Sequence, residues 1–165
     1  PPGEGKTTLL RSLCAYLSSG ERAMRVSAVD SRDELGTLPH PSEHSIDILT
    51  GYPKVDAILM ATAFMNPEVI LCDEIGSCDE ARAILEAQNC GVPLIATAHG
   101  DSLESILRRP QIRLLQDSCI FSLYIGIRIS GSGFDYVINT HKEAERAIED
   151  HRDNSDTSLV GDSRS

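Results

Sequence analysis

Three short stretches carry the residues able to do chemistry. PPGEGKTT at positions 1–8 sets Lys6 and Thr7 behind two glycines, Gly3 and Gly5. EVILCDE at positions 68–74 ends an apolar run in two acids, Asp73 and Glu74, and IATAHG at 95–100 ends another in Thr97 and His99. The first stretch suits a phosphate, the second a divalent cation and a water molecule, and the third a group that responds to a terminal phosphate. Together they are the parts of a site that binds and hydrolyses a nucleoside triphosphate.

A phosphate-binding loop reads GxxxxGK(S/T), and Gly5, Lys6 and Thr7 supply its second half. Its first Gly would stand one position before Pro1. Gly3 and Gly5 let the backbone turn its amides inward, and the helix that follows adds its N-terminal N–H groups and dipole to anion binding. The expected ATP-binding stretch is Gly3, Glu4, Gly5, Lys6, Thr7 and Thr8. Within it Lys6 reaches the β- and γ-phosphates and Thr7 places its hydroxyl on Mg²⁺.

EVILCDE has the form of a Walker B strand. Asp73 is expected to hold Mg²⁺, directly or through water, and Glu74 to polarise the attacking water. Two acids after a strand also occur as a solvated loop and helix cap; a phosphate loop upstream favours the functional reading. The second acid favours hydrolysis over mere binding. His99 is assigned to γ-phosphate sensing rather than metal binding, against the bland alternative of an exposed histidine. Asp30, Asp33 and Glu34 in AVDSRDELG stand equally as water- or Mg²⁺-positioning groups and as ordinary loop charges. His40 and His44 lie in a Pro-interrupted loop and are not expected to share a metal. Arg108 and Arg109 are candidates for a finger reaching a neighbouring subunit's nucleotide, ahead of Arg32 and Arg82, although each is also an ordinary surface charge.

These residues need elements to position them. Leu9, Leu10, Leu13 and Leu17 recur at helical spacing, with Gly20 as a stop. RAMRVSAVD reads as a strand ending at Asp30, followed by a long loop. PKVDAILMATAFM reads as a helix closed by Asn66-Pro67, EVILCDE as a strand buried on both faces, DEARAILEAQNCG as a helix closed by Gly91, and VPLIATAHG as a second buried strand. DSLESILRR is a short helix capped by Asp101 or Ser102. CIFSLYIGIRIS and GFDYVIN pair through Ser130, Gly131, Ser132 and Gly133 as an antiparallel hairpin, expected on the sheet edge. HKEAERAIED is a charged helix. Alternating strands and helices indicate an α/β fold with a mainly parallel sheet, whose sites lie beyond the carboxyl ends of the strands. One domain, 1–150, lacks its first strand, and 151–165 is a flexible polar tail.

The chain has 165 residues and a net charge of −10, with 4% aromatic residues, so a nucleic-acid partner gripped through phosphates and stacked bases is not expected. No apolar run approaches the roughly 20 residues of a transmembrane segment, and a soluble cytoplasmic protein is expected. The five cysteines show no CxxC pair and read as reduced core thiols.

PPGEGKTTLLRSL, AVDSRDELG, ILTGYPKVDAILMATAFMNPEVILCDEIG, NCGVPLIATAHG and LRRPQIRLLQ together resemble the stage III sporulation protein AA family of endospore-forming bacteria, from Pro1 to about Asn139. The resemblance implies a RecA-like P-loop ATPase related to the motors of type II and type IV secretion, acting as a hexameric ring. It implies a place at the mother-cell face of the membrane around the forespore, with other stage III sporulation proteins in a secretion-like channel assembly. AVDSRDELG then occupies the place of those motors' aspartate box and IATAHG that of their histidine box.

This chain departs from the family pattern at several positions. Ser31 stands where the family has Glu, Asp33 where a small polar residue is common, Ser45 nearest to an expected Arg, and Ser77 where a polar residue such as Arg follows DEIG. The resemblance further implies that the loop's first Gly, its strand and an N-terminal region precede Pro1 in a longer protein. The expected function is an ATP-hydrolysing motor or gating subunit with ATP and Mg²⁺ as cofactors. The alternatives are a non-catalytic nucleotide-dependent ring or assembly protein and a nucleic-acid-stimulated RecA-like ATPase.

Overall fold

The computed structural model describes residues 5–33, 35, 45–131 and 133–148. They divide into two compact units, one ending at His99 and the other beginning at Gly100.

In the first unit the helix expected after the glycine loop is α1, Lys6–Leu17. β1 is Val26–Asp30, β2 Ile46–Thr50, β3 Val69–Glu74 and β4 Leu94–Thr97. The four strands form one parallel sheet in the order β2-β1-β3-β4. α2, Lys54–Met60, runs on into a π turn, Ala61–Met65, which Asn66 closes in the left-handed conformation at φ 48. α3 is Cys78–Asn89, and the side chain of its N-cap Ser77 accepts from the Glu80 N–H.

Alternation along the strands sends side chains to two faces, and both are covered. Val26, Ala28, Val69 and Leu71 pack with Leu10 and Cys14 of α1. Ser27, Val29, Ile70 and Cys72 have the opposite parity and are fully buried as well. α2 packs on β1 and against α3, and these helices bury mainly alanines, with Ile58 and Ile84. Each fully buried Ile or Val contributes about 1.5–3 kcal/mol relative to exposure.

α1 runs antiparallel to the strands. At its C-terminal end Met24 N–H donates to the Leu17 carbonyl and Ser45 N–H to that of Ser18, which ties this end to the starts of β1 and β2. Nearer its other end Arg11 Nε donates to the Leu35 carbonyl at 2.7 Å, beyond the end of β1. A helix of this length spans about 18 Å and a five-residue strand about 16 Å. The α1 N-terminus therefore lies at the carboxyl edge of the sheet.

β2 is not foreseen from the sequence. It is an edge strand in which only Leu49 is fully buried, so it lacks the continuous burial that marks β1 and β3. β4 is half-buried along its length rather than fully buried, because it forms the opposite edge.

In the second unit α4, Leu103–Leu107, is capped by Ser102, and α5, Pro110–Asp117, starts with Pro at N1 and buries Ile112 and Leu115. β5, Leu123–Ser130, and β6, Gly133–Thr140, pair antiparallel, with Gly131 at φ 56 in the tight connection. The hairpin is a two-stranded sheet of its own, which corrects the expectation that it extends the parallel sheet. Its register places Ile125 opposite Ile138, Ile127 opposite Tyr136 and Ile129 opposite Phe134, so one face is continuously apolar. Residues 141–148 form α6. The expected tail at 151–165 lies outside the described residues.

Candidate functional site

Gly5 is the N-cap of α1 and sits at φ 82, ψ 1, a left-handed conformation that costs a residue with Cβ roughly 1–2 kcal/mol. The helix ladder begins when Leu9 N–H donates to the Gly5 carbonyl at 2.8 Å. The N–H groups of the first turn lack intrahelical acceptors by geometry, and the dipole adds partial positive charge there. Lys6 and Thr7 are half-buried in this turn and Thr8 is exposed. Gly3 and Glu4 lie outside the described residues.

β1, β3 and β4 deliver the other candidates to the same edge. Val29 pairs with Cys72, and Cys72 with Ala96; the ladder then slips, so that Glu74 and not Asp73 pairs with Thr97. Asp73 falls in that irregularity. It is 6% exposed, and its carboxylate is held on both oxygens. Oδ2 accepts from the Ser31 N–H at 3.1 Å and the Ser31 hydroxyl at 2.8 Å. Oδ1 meets Lys54 Nζ at 2.5 Å.

Lys54 is the residue that the sequence reading overlooks. It opens α2, its side chain is 8% exposed, and its ammonium reaches the Asp73 carboxylate, the Glu74 carbonyl and, at 3.5 Å, Glu80 Oε2. Burial works to lower its pKa, but the hydrogen bond to Asp73, with coupling to the Cys72 thiol and to the carboxylates of Asp73 and Glu80, holds it above the usual lysine value. A signal was present in the sequence. A cation in the first turn of a helix opposes the dipole, so an anionic partner from elsewhere is needed to keep it there.

Glu74 is partly exposed, and its Oε2 lies 3.6 Å from Arg32 Nη1. That contact is open to solvent on the arginine side and counts for little. His99 is half-buried, two positions past Thr97, the residue that pairs with Glu74. Asp30 is 1% exposed and accepts from the Leu35 N–H at 2.8 Å, which shapes the loop after β1. Asp33 is exposed at φ 53. Glu34, His40 and His44 lie outside the described residues. Arg82 pairs with Asp79 one helical turn away. Arg108 and Arg109 belong to the second unit, where Arg109 is the N-cap of α5.

The donor set suits a triphosphate: a left-handed Gly, first-turn amides, Lys6 and two hydroxyls. For Mg²⁺ the set is the Thr7 hydroxyl with the Asp73 carboxylate. Among the described residues no three His, Cys, Asp or Glu side chains cluster so as to hold a metal. Mg²⁺ usually takes one or two protein ligands and completes its octahedron with phosphate and water, so a sparse set is adequate.

Residues 1–136 match the family model described as sporulation stage III, protein AA. The chain is 37% identical over 142 residues to stage III sporulation protein AA of Bacillus subtilis, a match covering 81% of this chain and 46% of that protein, so this chain spans less than half of that relative's length. Among solved structures, the VirB11 ATPase of the Brucella suis type IV secretion system aligns with a TM-score of 0.64 at 18% identity, over 90% of this chain and 48% of that one. The Legionella pneumophila ATPase DotB aligns with a TM-score of 0.66, also at 18% identity, over 90% of this chain and 46% of its own. At that identity these two likenesses establish a shared fold. Among the described residues no helix is long and apolar enough to cross a membrane.

Proposed function

Because the chain belongs to the sporulation stage III protein AA family, we propose that it forms the nucleotide-binding core of an ATPase that drives or gates a secretion-like channel assembly during sporulation. The observation that carries this reading is the convergence of the α1 N-terminus with Asp73 and Glu74 at one edge of a parallel sheet.

The first-turn amides and Lys6 bind the phosphates and neutralise charge that develops on them. Thr7 and Asp73 would hold Mg²⁺, which would supply positive charge to offset that of the phosphates. Glu74 orients a water for in-line attack and takes up part of its proton's charge. His99, beyond the end of β4, responds to loss of the γ-phosphate and passes it to the following segment. The resemblance to secretion motors supports a homo-oligomer, hexameric by that resemblance, at the mother-cell face of the membrane around the forespore with other stage III sporulation proteins.

The test uses the full-length protein. Lys6→Ala is expected to lose nucleotide binding, and Glu74→Gln to bind ATP while turnover falls by about 10²-fold or more. Normal phosphate release from Glu74→Gln sinks the role of that acid. A second reading, with ATP as a structural ligand of a ring, draws on the engagement of the Asp73 carboxylate by Lys54. Sporulation supported equally by wild type and Glu74→Gln would favour it.

A further inference from the structure

We propose that Lys54 is the positioning residue for Asp73, a fixed internal cation that ties the end of β3 to the starts of α2 and α3 and holds the metal-side carboxylate in one orientation. The proposal rests on the reading of Asp73 as the carboxylate that serves Mg²⁺.

Lysine is almost never buried unless paired, and here the side chain is 8% exposed, as is that of Asp73. The ammonium has three donors and meets three acceptors, each on a piece of chain that must be aligned for the site to exist. Asp73 Oδ1, at 2.5 Å, is the carboxylate itself. The Glu74 carbonyl fixes the peptide that carries the second acid. Glu80 Oε2, at 3.5 Å, also accepts from the Gly76 N–H at 2.8 Å, so the third acceptor anchors the turn between β3 and α3.

Ser31 holds the other oxygen of Asp73 from β1's end. With Ser31 bonded twice to Oδ2 and the Lys54 ammonium set against Oδ1, the carboxylate is restrained, and the lone-pair site left for a cation or its water is on Oδ1. A buried ion pair adds little to stability as such, and well-packed apolar replacements often do as well. Its value here lies in orientation. Without the ammonium, Asp73 and Glu80 repel across the gap and Asp73 turns toward water, which removes the ligand from its place.

The experiment measures binding of a fluorescent ATP analogue to the full-length protein without Mg²⁺ and then across a Mg²⁺ titration. Lys54→Met should leave Mg²⁺-free affinity close to wild type while the Mg²⁺ midpoint rises by about 10–100-fold, the usual cost of losing the group that orients a metal ligand. Lys54→Arg, which keeps the charge, should restore most of the midpoint, and Glu80→Gln should raise it by a smaller factor.

An unchanged midpoint in Lys54→Met overturns the proposal, and so does a lowered one, which would mean that Lys54 competes with the ion. Equal loss of Mg²⁺-free binding also overturns it, since that is general structural damage. If Lys54→Met does not fold, Glu80→Gln and Lys54→Arg decide: a raised midpoint in the first with a midpoint close to wild type in the second supports positioning, and any other pattern refutes it. A wild type that binds but does not hydrolyse ATP defeats the catalytic reading alone, because the midpoint still judges Lys54. A wild type that binds no nucleotide defeats both.

Discussion

Ser31 donates twice to one oxygen of Asp73, from its backbone N–H at 3.1 Å and its hydroxyl at 2.8 Å. The residue that stands where the resemblance leads one to expect Glu is thus joined to the acid near the end of β3. Ser31→Ala keeps the backbone donor and loses the hydroxyl, and should cost about 1–2 kcal/mol, read as a lower urea midpoint at unchanged slope. Ser31→Glu should cost more, since it brings a like charge to an already buried carboxylate.

Thiol chemistry should separate the cysteines by burial. Burial pushes the Cys14 thiol up to about 11. It pushes Cys72 up to about 12, with Lys54 opposing and Asp73 and Glu80 adding. Only the thiolate is alkylated, so at pH 8 iodoacetamide should label exposed Cys90 and Cys119 in the native protein and reach Cys14 and Cys72 only in denaturant, as peptide mass mapping will read.

The same shifts set an alkaline limit. Both native values lie above the ordinary 9.0, so the folded state retains protons that the unfolded chain releases. This contribution is full below pH 9.0 and is lost as pH rises through about 11 and 12. The urea midpoint should fall across that window, and Cys14→Ala should flatten the fall.

At the start of α6, Glu143 Oε2 accepts from the Thr140 N–H at 2.7 Å and the Thr140 hydroxyl at 2.9 Å. The backbone N–H first, then the hydroxyl, with Arg146 adding a smaller pull, lower the Glu143 pKa below its ordinary 4.5. A lowered carboxylate pKa stabilises above 4.5, and the effect is lost as pH falls through the lowered value. Thr140→Ala leaves the larger cause in place, so an NMR titration should show Glu143 moving only part of the way back.

Gly100 is packed too closely for a side chain. An added Cβ would stand 2.3 Å from Ile106 Cγ1 and 3.2 Å from Ser105 Oγ, so α4 would have to give way. Gly100→Ala should destabilise by about 1–3 kcal/mol, measured by the thermal midpoint.

The sequence disclosed the elements whose signal is strong and local. β3 is an uninterrupted apolar run up to its closing acids and β1 is broken only by Ser27 before its closing acid, and α1 and α3 repeat leucine, isoleucine and alanine at helical spacing. β2 escaped because Asp47 and Thr50 break its apolar character and one face meets solvent. α5 escaped because Pro110 reads as a break, although at N1 it begins a helix. That Lys6 and Thr7 open a helix and that Asp73 and Glu74 close a strand was legible from the motifs. The Lys54 contact was not, since Asp73 and Glu80 lie far along the chain and only the finished sheet brings them together. Ser31 likewise reads as a loop residue until β1 and β3 stand side by side.

The central position of β1 has a consequence for how the chain is made. Val26 is synthesised well before its partner Val69, and at about 5–20 residues per second the wait is roughly 2–9 s. Among the described strands only β2 can stand beside Val26, Ala28 and Val29 during that interval, and the edge that β3 later covers waits for it. A growing chain in that state is a ligand for holdase chaperones and for other nascent copies. Slowing translation between positions 30 and 69 should therefore lower the yield of folded protein, whereas a pause after Thr97, when all four strands exist, should not.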